Sequence, residues 1–384
     1  MSAGFHVAYD EGEPLLVTLA QALRQARPLT KAEAAAAARA LAADNVGLEW
    51  KRDFLEEFSK HGETAEQIVA FAEVFRGLAR NPHVEPWAAR ALDVCGTGGD
   101  HSGSFNISTT VAFIVAAAGV PVFKHGNRSI TSKCGSADFL EANGILLDAP
   151  DAVWHEALAE LNFAFFFAPS YHPAFRNVAP VRRVLGRRTI FNVLGPLLNP
   201  GRPAHQIIGV STYEAPRLVP VTDLSGPVQP YLPEYARAAH ELGMHKGLIV
   251  HGRFSKNTGL DELSVVGSNC LVGVGEWWED GREHEISAAD LGLAAAPPEA
   301  LKGGDAADNL RLLDDLLQGS APAGLADTIC LNAGAALLAA GRVSGAFPRA
   351  GLQAGVAAAR ALLTGGAVRE WLQKARSFFA RHRN

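Results

Sequence analysis

Five short apolar runs, at residues 91–94, 120–123, 163–167, 207–210 and 248–250, are separated for the most part by stretches of helical texture. Strands that alternate with helices in this way pair side by side in one direction, because each crossover helix returns the chain to the same sheet edge. The alternation predicts a mostly parallel sheet flanked by helices. The beginning of the chain reads differently. Thr30 with Glu33 and Thr64 with Gln67 have capping-box spacing, and after the second pair Ile68, Phe71, Phe75 and Leu78 fall on one helical face. Asn81-Pro82 and Pro86 break that pattern. From residue 305 the chain returns to helices rich in alanine and leucine. At 384 residues it exceeds one ordinary core. The expectation is an α/β protein with a small helical domain, residues 1–90, and a large α/β domain, residues 91–384.

Charge and cysteine usage narrow the function classes. The net charge is −5, and the basic residues form only short clusters such as Arg182-Arg183 and Arg187-Arg188, without the basic stripe of a nucleic-acid binder. Cys95, Cys134, Cys270 and Cys330 show neither CxxC nor zinc-ligand spacing, so free thiols in a reducing compartment are expected. Residues 1–16 carry acidic groups and no basic-then-apolar pattern, and the apolar runs 111–120 and 163–168 are too short to span a bilayer. A cytoplasmic protein without nucleic-acid or membrane partners is expected.

Two polar loops follow predicted strands. The first is DVCGTGGD, residues 93–100, followed by Ser104, Asn106, Ser108, Thr109 and Thr110 at the start of an apolar helix. Glycines let the backbone approach an anion, and free N–H groups with hydroxyls at a helix start can hold phosphate oxygens. The spacing fits neither a dinucleotide fingerprint nor a Walker loop. The second is KHGNRSITSKCGSAD, residues 124–138. There Lys124 and Arg128 offer positive charge, Ser132 and Ser136 offer donors, and Asn127 offers both donor and acceptor. For Arg128 and Lys133 a solvated or ion-paired role weighs equally. Two anion-friendly loops at one strand edge suggest a ligand site there. Asp261-Glu262 offers paired carboxylates after a further strand, although an isolated Asp-Glu pair is usually plain surface.

With DVCGTGGD come SFNIST, KHGNRSITSKCGSADFLEANG, FAPSYHPAF, VAPVRRVLGRRTIFNVLGPLLNP and GLDELS, in that order. In these stretches the chain resembles the anthranilate phosphoribosyltransferases, from about Leu15 to about Ala367. The resemblance implies a small domain completed by a returning segment near residues 175–200, a homodimer joined through that domain, and a role in tryptophan biosynthesis. It implies transfer of the phosphoribosyl group of 5-phosphoribosyl 1-diphosphate (PRPP) to the amine of anthranilate, with release of diphosphate. Carried over by position, Gly96, Gly99, Asp100, Ser104, Asn106, Ser108, Thr109, Lys124, Ser132 and Ser136 would hold PRPP. Ser108, Asp261 and Glu262 would bind magnesium, and Gly96, His125, Asn127 and Arg182 would line the anthranilate path.

An aromatic amine is neutral and nucleophilic at pH 7, so positioning and charge stabilisation are expected to carry the reaction, with no covalent nucleophile. Arg182 can pair with the acceptor carboxylate, and His125 is a candidate to take the amine proton after attack, beside a purely structural role. The chain departs from the family pattern at Thr131 and Ser104, which keep a hydroxyl, at Arg187, which replaces an aliphatic residue, and at the charged stretch 51–58, KRDFLEEF. Residues 220–233 resemble an insertion and read as an exposed loop without a catalytic role. A nucleoside phosphorylase of the same fold would not need the SFNIST and GLDE stretches, and a nucleic-acid-binding relative would be more basic. The same chemistry on another aromatic or heterocyclic amine remains open at this level.

Overall fold

A computed structural model describes residues 8–128, 133–211, 232–254 and 259–383. Helices Gly12–Arg24, Lys31–Ala42, Leu48–His61 and Ala65–Gly77 form the N-terminal part. Both expected capping boxes are present: Thr30 accepts from the Glu33 N–H and Thr64 from the Gln67 N–H, and each partner side chain returns a bond to the cap. These bonds satisfy N–H groups that a helix start otherwise leaves open.

The helices close around a column of phenylalanines. Phe54 stacks on Phe58 at 5.5 Å between ring centroids, and Phe58 on Phe71 at 5.6 Å. The column is completed from far along the chain, because Phe175 and Phe191 pack edge-on against Phe75 at 5.0 and 5.2 Å. Burying a phenylalanine contributes roughly 1.5–3 kcal/mol, which gives the segment 173–198 a strong reason to return to these helices. Lys51, in the charged stretch 51–58, is buried and not a surface cation. Its ammonium donates to the carbonyls of Ala43 and Asn177, stitching the end of one helix to the returning segment, and burial lowers its pKa to about 8.

The sheet contains β1 (Leu92–Gly96), β2 (Val122–Gly126), β3 (Phe163–Phe167), β4 (His205–Gly209), β5 (Lys246–Arg253), β6 (Gly259–Leu260), β7 (Ser268–Gly275) and β8 (Glu283–Ser287). The order is β3-β2-β1-β4-β5-β7-β8, with β6 paired to β5. The first five strands in that order are parallel, and the pairings of β6, β7 and β8 are antiparallel. The fold is α/β with a mostly parallel mixed sheet, and all five predicted strands are present. The antiparallel strands go beyond the expected set: SNCLVGVG of β7 mixes small and polar residues with its apolar ones, and EHEIS of β8 is polar.

Strand alternation divides the core. Leu92, Val94, Ile207, Leu248, Val250 and Leu271 join the cluster beneath the helices Ile107–Ala117 and Ala323–Ala339. Cys95, Ile208, Ile249, Val272 and Val274 face the other way, toward the helix Leu232–Glu241 and the N-terminal helices. The four cysteines are buried and free. Among the described residues no single helix is long and apolar enough to cross a membrane. Of the stretch expected to be a loop, residues 220–231 lie outside the described residues, whereas Leu232 and Pro233 open the helix Leu232–Glu241. Proline is accepted there because the first turn has no intrahelical use for its missing N–H.

Candidate active site

Three neighbouring parallel strands end in glycine: β1 at Gly96, β2 at Gly126 and β4 at Gly209. Space dictates this. A Cβ on Gly96 would stand 2.1 Å from Asp261 Oδ2, one on Gly209 would stand 1.5 Å from the Asp261 carbonyl oxygen, and one on Gly126 would stand 2.3 Å from Ser136 Oγ. The missing side chains let the turn after β6, with Asp261 and Glu262, lie across the strand ends.

That turn is fastened to the first glycine-rich loop. The Gly98 N–H donates to Asp261 Oδ2 at 2.7 Å, and the Ser108 N–H, in the first turn of the helix Ile107–Ala117, donates to Glu262 Oε1 at 2.9 Å. A carboxylate at a helix N-terminus is favoured by the helix dipole. Asp100 neighbours Asp261, and burial together with that like charge pushes the Asp261 carboxyl well above its ordinary value. Burial, Asp261 and Asp100 push Glu262 well above its ordinary value as well. Asp100 Oδ2 and Glu262 Oε2 are buried oxygens with no hydrogen-bond partner among the described residues. Carboxylate oxygens of this kind are the hard donors that a divalent cation such as magnesium takes. Among the described residues no group of three or more His, Cys, Asp or Glu is placed to hold a metal ion by itself. Magnesium does not need one, since it usually keeps waters and takes one or two carboxylates beside substrate phosphates.

The other expected donor residues belong to the two loops that follow β1 and β2 and to the starts of the helices after them. Gly99 has φ +80°, a conformation glycine adopts without strain. Ser104 forms a bridge with Lys302, and Asn106 Nδ2 donates to the Cys134 carbonyl at 3.3 Å, joining the first loop to the second. Ser136 Oγ donates to the Asn127 carbonyl at 3.2 Å, and the exposed Asn127 accepts the Arg128 N–H through Oδ1. Thr109 has no exposed surface. Ser132 lies outside the described residues. Lys124 is buried, and its ammonium donates to the Val94 carbonyl at 2.6 Å. Its charge therefore acts from beneath the site: burial pushes the Asp93 and Glu262 carboxyls up, and Lys124 offsets only part of that rise. Arg128 is ion-paired with Asp138 at 2.6 Å and Glu141 at 3.0 Å.

On the second side of the site, His125 Nε2 lies 3.1 Å from His172 Nε2. Burial, His172 and Lys124 hold His125 well below its ordinary pKa, and burial lowers His172 to about 4, so both rings are neutral at pH 7. Arg182 is half-buried with its guanidinium 5.8 Å over the Phe191 ring. It has no carboxylate partner among the described residues, and burial lowers its pKa.

Several residues here are not singled out by the sequence. His172 stands in the stretch FAPSYHPAF, but its pairing with His125 requires the fold. Asn199 donates to Asp93 Oδ2 at 2.9 Å and to the Phe123 carbonyl at 2.7 Å, bracing the strands that carry both loops. Arg188 donates to Ser211 Oγ at 2.9 Å, beside Thr97.

Residues 88–369 match the model of a glycosyl transferase family, a/b domain. An anthranilate phosphoribosyltransferase of Roseiflexus sp. (strain RS-1) is 43% identical over 314 residues, 82% of this chain and 83% of the relative. One of Prochlorococcus marinus (strain MIT 9313) is 40% identical over 346 residues, 90% of each chain. The crystal structure of anthranilate phosphoribosyltransferase from Thermus thermophilus superposes with a TM-score of 0.78 at 37% identity, covering 94% of this chain and 99% of that one. The Saccharomyces cerevisiae enzyme in complex with PRPP and Mg shares the fold, with a TM-score of 0.77 at 22% identity over 96% of this chain and 99% of that one. With this identity over most of its length, the chain belongs to the anthranilate phosphoribosyltransferases.

Proposed function

We propose that this protein transfers the phosphoribosyl group of PRPP to the amine of anthranilate, giving N-(5-phosphoribosyl)anthranilate and diphosphate, a step of tryptophan biosynthesis. The observation that carries the reading is the fastening of Asp261 and Glu262 to the glycine-rich loop through the Gly98 and Ser108 N–H groups. It unites phosphate-binding backbone and cation-binding carboxylates at the ends of neighbouring strands.

In this reading the amine nitrogen attacks C1 of the ribose. The bond from C1 to the diphosphate oxygen breaks with its electron pair going to diphosphate, and the nitrogen then loses a proton. Gly96, Gly99, Asp100, Ser104, Asn106, Ser108, Ser132 and Ser136 line the donor site, with loop N–H groups and hydroxyls on its phosphates, while the buried Thr109 and Lys124 act from below, Lys124 through its charge. Ser108, Asp261 and Glu262 would hold a magnesium ion, which would offset charge on the departing diphosphate. Gly96, His125, Asn127 and Arg182 line the acceptor path. The unmatched guanidinium of Arg182 suits a bidentate pair with the acceptor carboxylate. A neutral His125 is a weak base, which suffices because an aromatic amine becomes strongly acidic once a fourth bond forms on nitrogen. Rate enhancement then comes from positioning and electrostatics.

The same reading divides the chain into a small helical domain, residues 1–90 with the returning segment near 175–200, and a large α/β domain, residues 91–384. A homodimer joined through the helical domain is part of the same proposal. Leu48 at 51% and Val184 at 72% exposure, with Trp50, leave apolar surface on two helices that pack together, Leu48–His61 and Ala179–Leu185. Residence in the cytoplasm is part of the same proposal. The test is diphosphate release from PRPP with anthranilate, with and without Mg2+. Release that needs both supports the reading. Absence of release, or phosphorolysis of nucleosides instead, overturns it.

A further inference from the structure

The far half of the first glycine-rich loop is braced by its own side chains, the Ser102 N–H donating to Asp100 Oδ1 and the Ser104 N–H to Ser102 Oγ, each at 3.2 Å, but its glycine half is not. Gly98 and Gly99 have φ +70° and +80° and carry no side chains, so neighbours must fix the loop from outside. One anchor is the Asp261 carboxylate described above. A second comes from the returning segment. Arg188 lies between the helices Ala179–Leu185 and Phe191–Leu194, half-buried, and its Nη1 donates to Ser211 Oγ at 2.9 Å. Ser211 has no exposed surface and sits just beyond β4. Its N–H donates to Thr97 Oγ1 at 3.1 Å, and the two hydroxyl oxygens are 3.3 Å apart. Thr97 in turn donates its N–H to the Gly209 carbonyl at 2.9 Å. A Cβ on Gly99 would stand 3.8 Å from Arg188 Nη1, so the guanidinium also backs the loop itself.

We propose that Arg188 is a positioning residue that latches the helical returning segment to the donor loop through Ser211 and Thr97. The same segment carries Arg182 on the acceptor side and Phe191 in the helical core. The shape of the donor loop is therefore tied to the returning segment, whose acceptor end is held separately by Phe191 against Phe71 and Phe75. A charged donor to a buried hydroxyl is a strong form of hydrogen bond, and a guanidinium presents it in fixed geometry. The inference rests on the proposed transferase reading only for its kinetic consequence. The latch itself is a statement about the ligand-free protein.

Two measurements on the full chain separate them. Amide hydrogen exchange over residues 97–103, without ligands, is compared in wild type, Arg188→Ala, Ser211→Ala and the double variant. Exchange is expected to speed on the order of tenfold in each single variant and no further in the double. Steady-state kinetics of the same set should raise the PRPP KM on the order of tenfold, leave the anthranilate KM nearly unchanged and lower kcat less. Arg188→Lys, which keeps one donor, should recover part of the loss. Unchanged exchange, effects that add in the double variant, or an anthranilate KM that moves in place of the PRPP KM would overturn the latch. If Arg188→Ala does not fold, Ser211→Ala alone decides the exchange and KM outcomes. A wild type without turnover refutes the transferase reading, and the exchange data still decide the latch.

Discussion

Gly209, the last residue of β4, lies against Asp261 so closely that a Cβ on it would meet the Asp261 carbonyl oxygen at 1.5 Å. Backbone, not a flexible side chain, occupies that space. Gly209→Ala must therefore push the Asp261-Glu262 turn away from the glycine-rich loop. Turnover is expected to fall at least about a hundredfold, since small displacements of a reacting constellation cost that much. Thermal unfolding measured alongside distinguishes a displaced turn from a chain that no longer folds. Retention of wild-type turnover would mean that the position of Asp261 is immaterial.

Asp261→Asn and Glu262→Gln test whether the crowded carboxyls serve a cation or the fold. Both amides can still accept the N–H bonds from Gly98 and Ser108, while the like-charge repulsion is removed. Thermal stability without Mg2+ is expected to hold or rise. Magnesium-dependent turnover should be lost, and so should any stabilisation by Mg2+ seen in wild type. Normal turnover in the double variant would remove the metal assignment.

Arg182→Ala removes a half-buried guanidinium without a carboxylate partner among the described residues. A charge-assisted pair is worth roughly 1.5–3 kcal/mol, so the anthranilate KM should rise about 10- to 100-fold. The PRPP KM should stay close to wild type. Unchanged anthranilate kinetics would place the acceptor carboxylate elsewhere.

The buried His125–His172 pair makes stability depend on acid. His172 has a folded pKa of about 4 against about 6.5 unfolded, so between those values the unfolded chain binds more protons. Its contribution is complete above pH 6.5 and is lost as pH falls toward 4, amounting to roughly 3 kcal/mol at the low end. His125 is shifted in the same direction. Denaturant unfolding from pH 7 to pH 4 should show this loss, and His172→Gln should flatten it. A slope equal in the variant and wild type would show that the imidazole does not charge on unfolding.

The sequence by itself determined the local grammar of this chain. Thr30 and Thr64 with their partners three residues on specify helix starts through bonds made within one turn, and both are present. The parallel strands were legible because residues buried on both faces form short continuous apolar runs. The two polar loops were legible because each directly follows a strand that ends in glycine. What the tertiary structure alone decided is contact between distant segments. Asp261 reaches Gly98, His172 meets His125, and Phe191 enters a core begun by Phe71 and Phe75. Lys124 and Lys51 look like surface or ligand cations in the sequence, yet both are buried against backbone carbonyls. Arg188 gave no sign of its place in a basic cluster. Such pairings depend on how packed elements approach one another in space, and neither periodicity nor residue type along the chain encodes that distance.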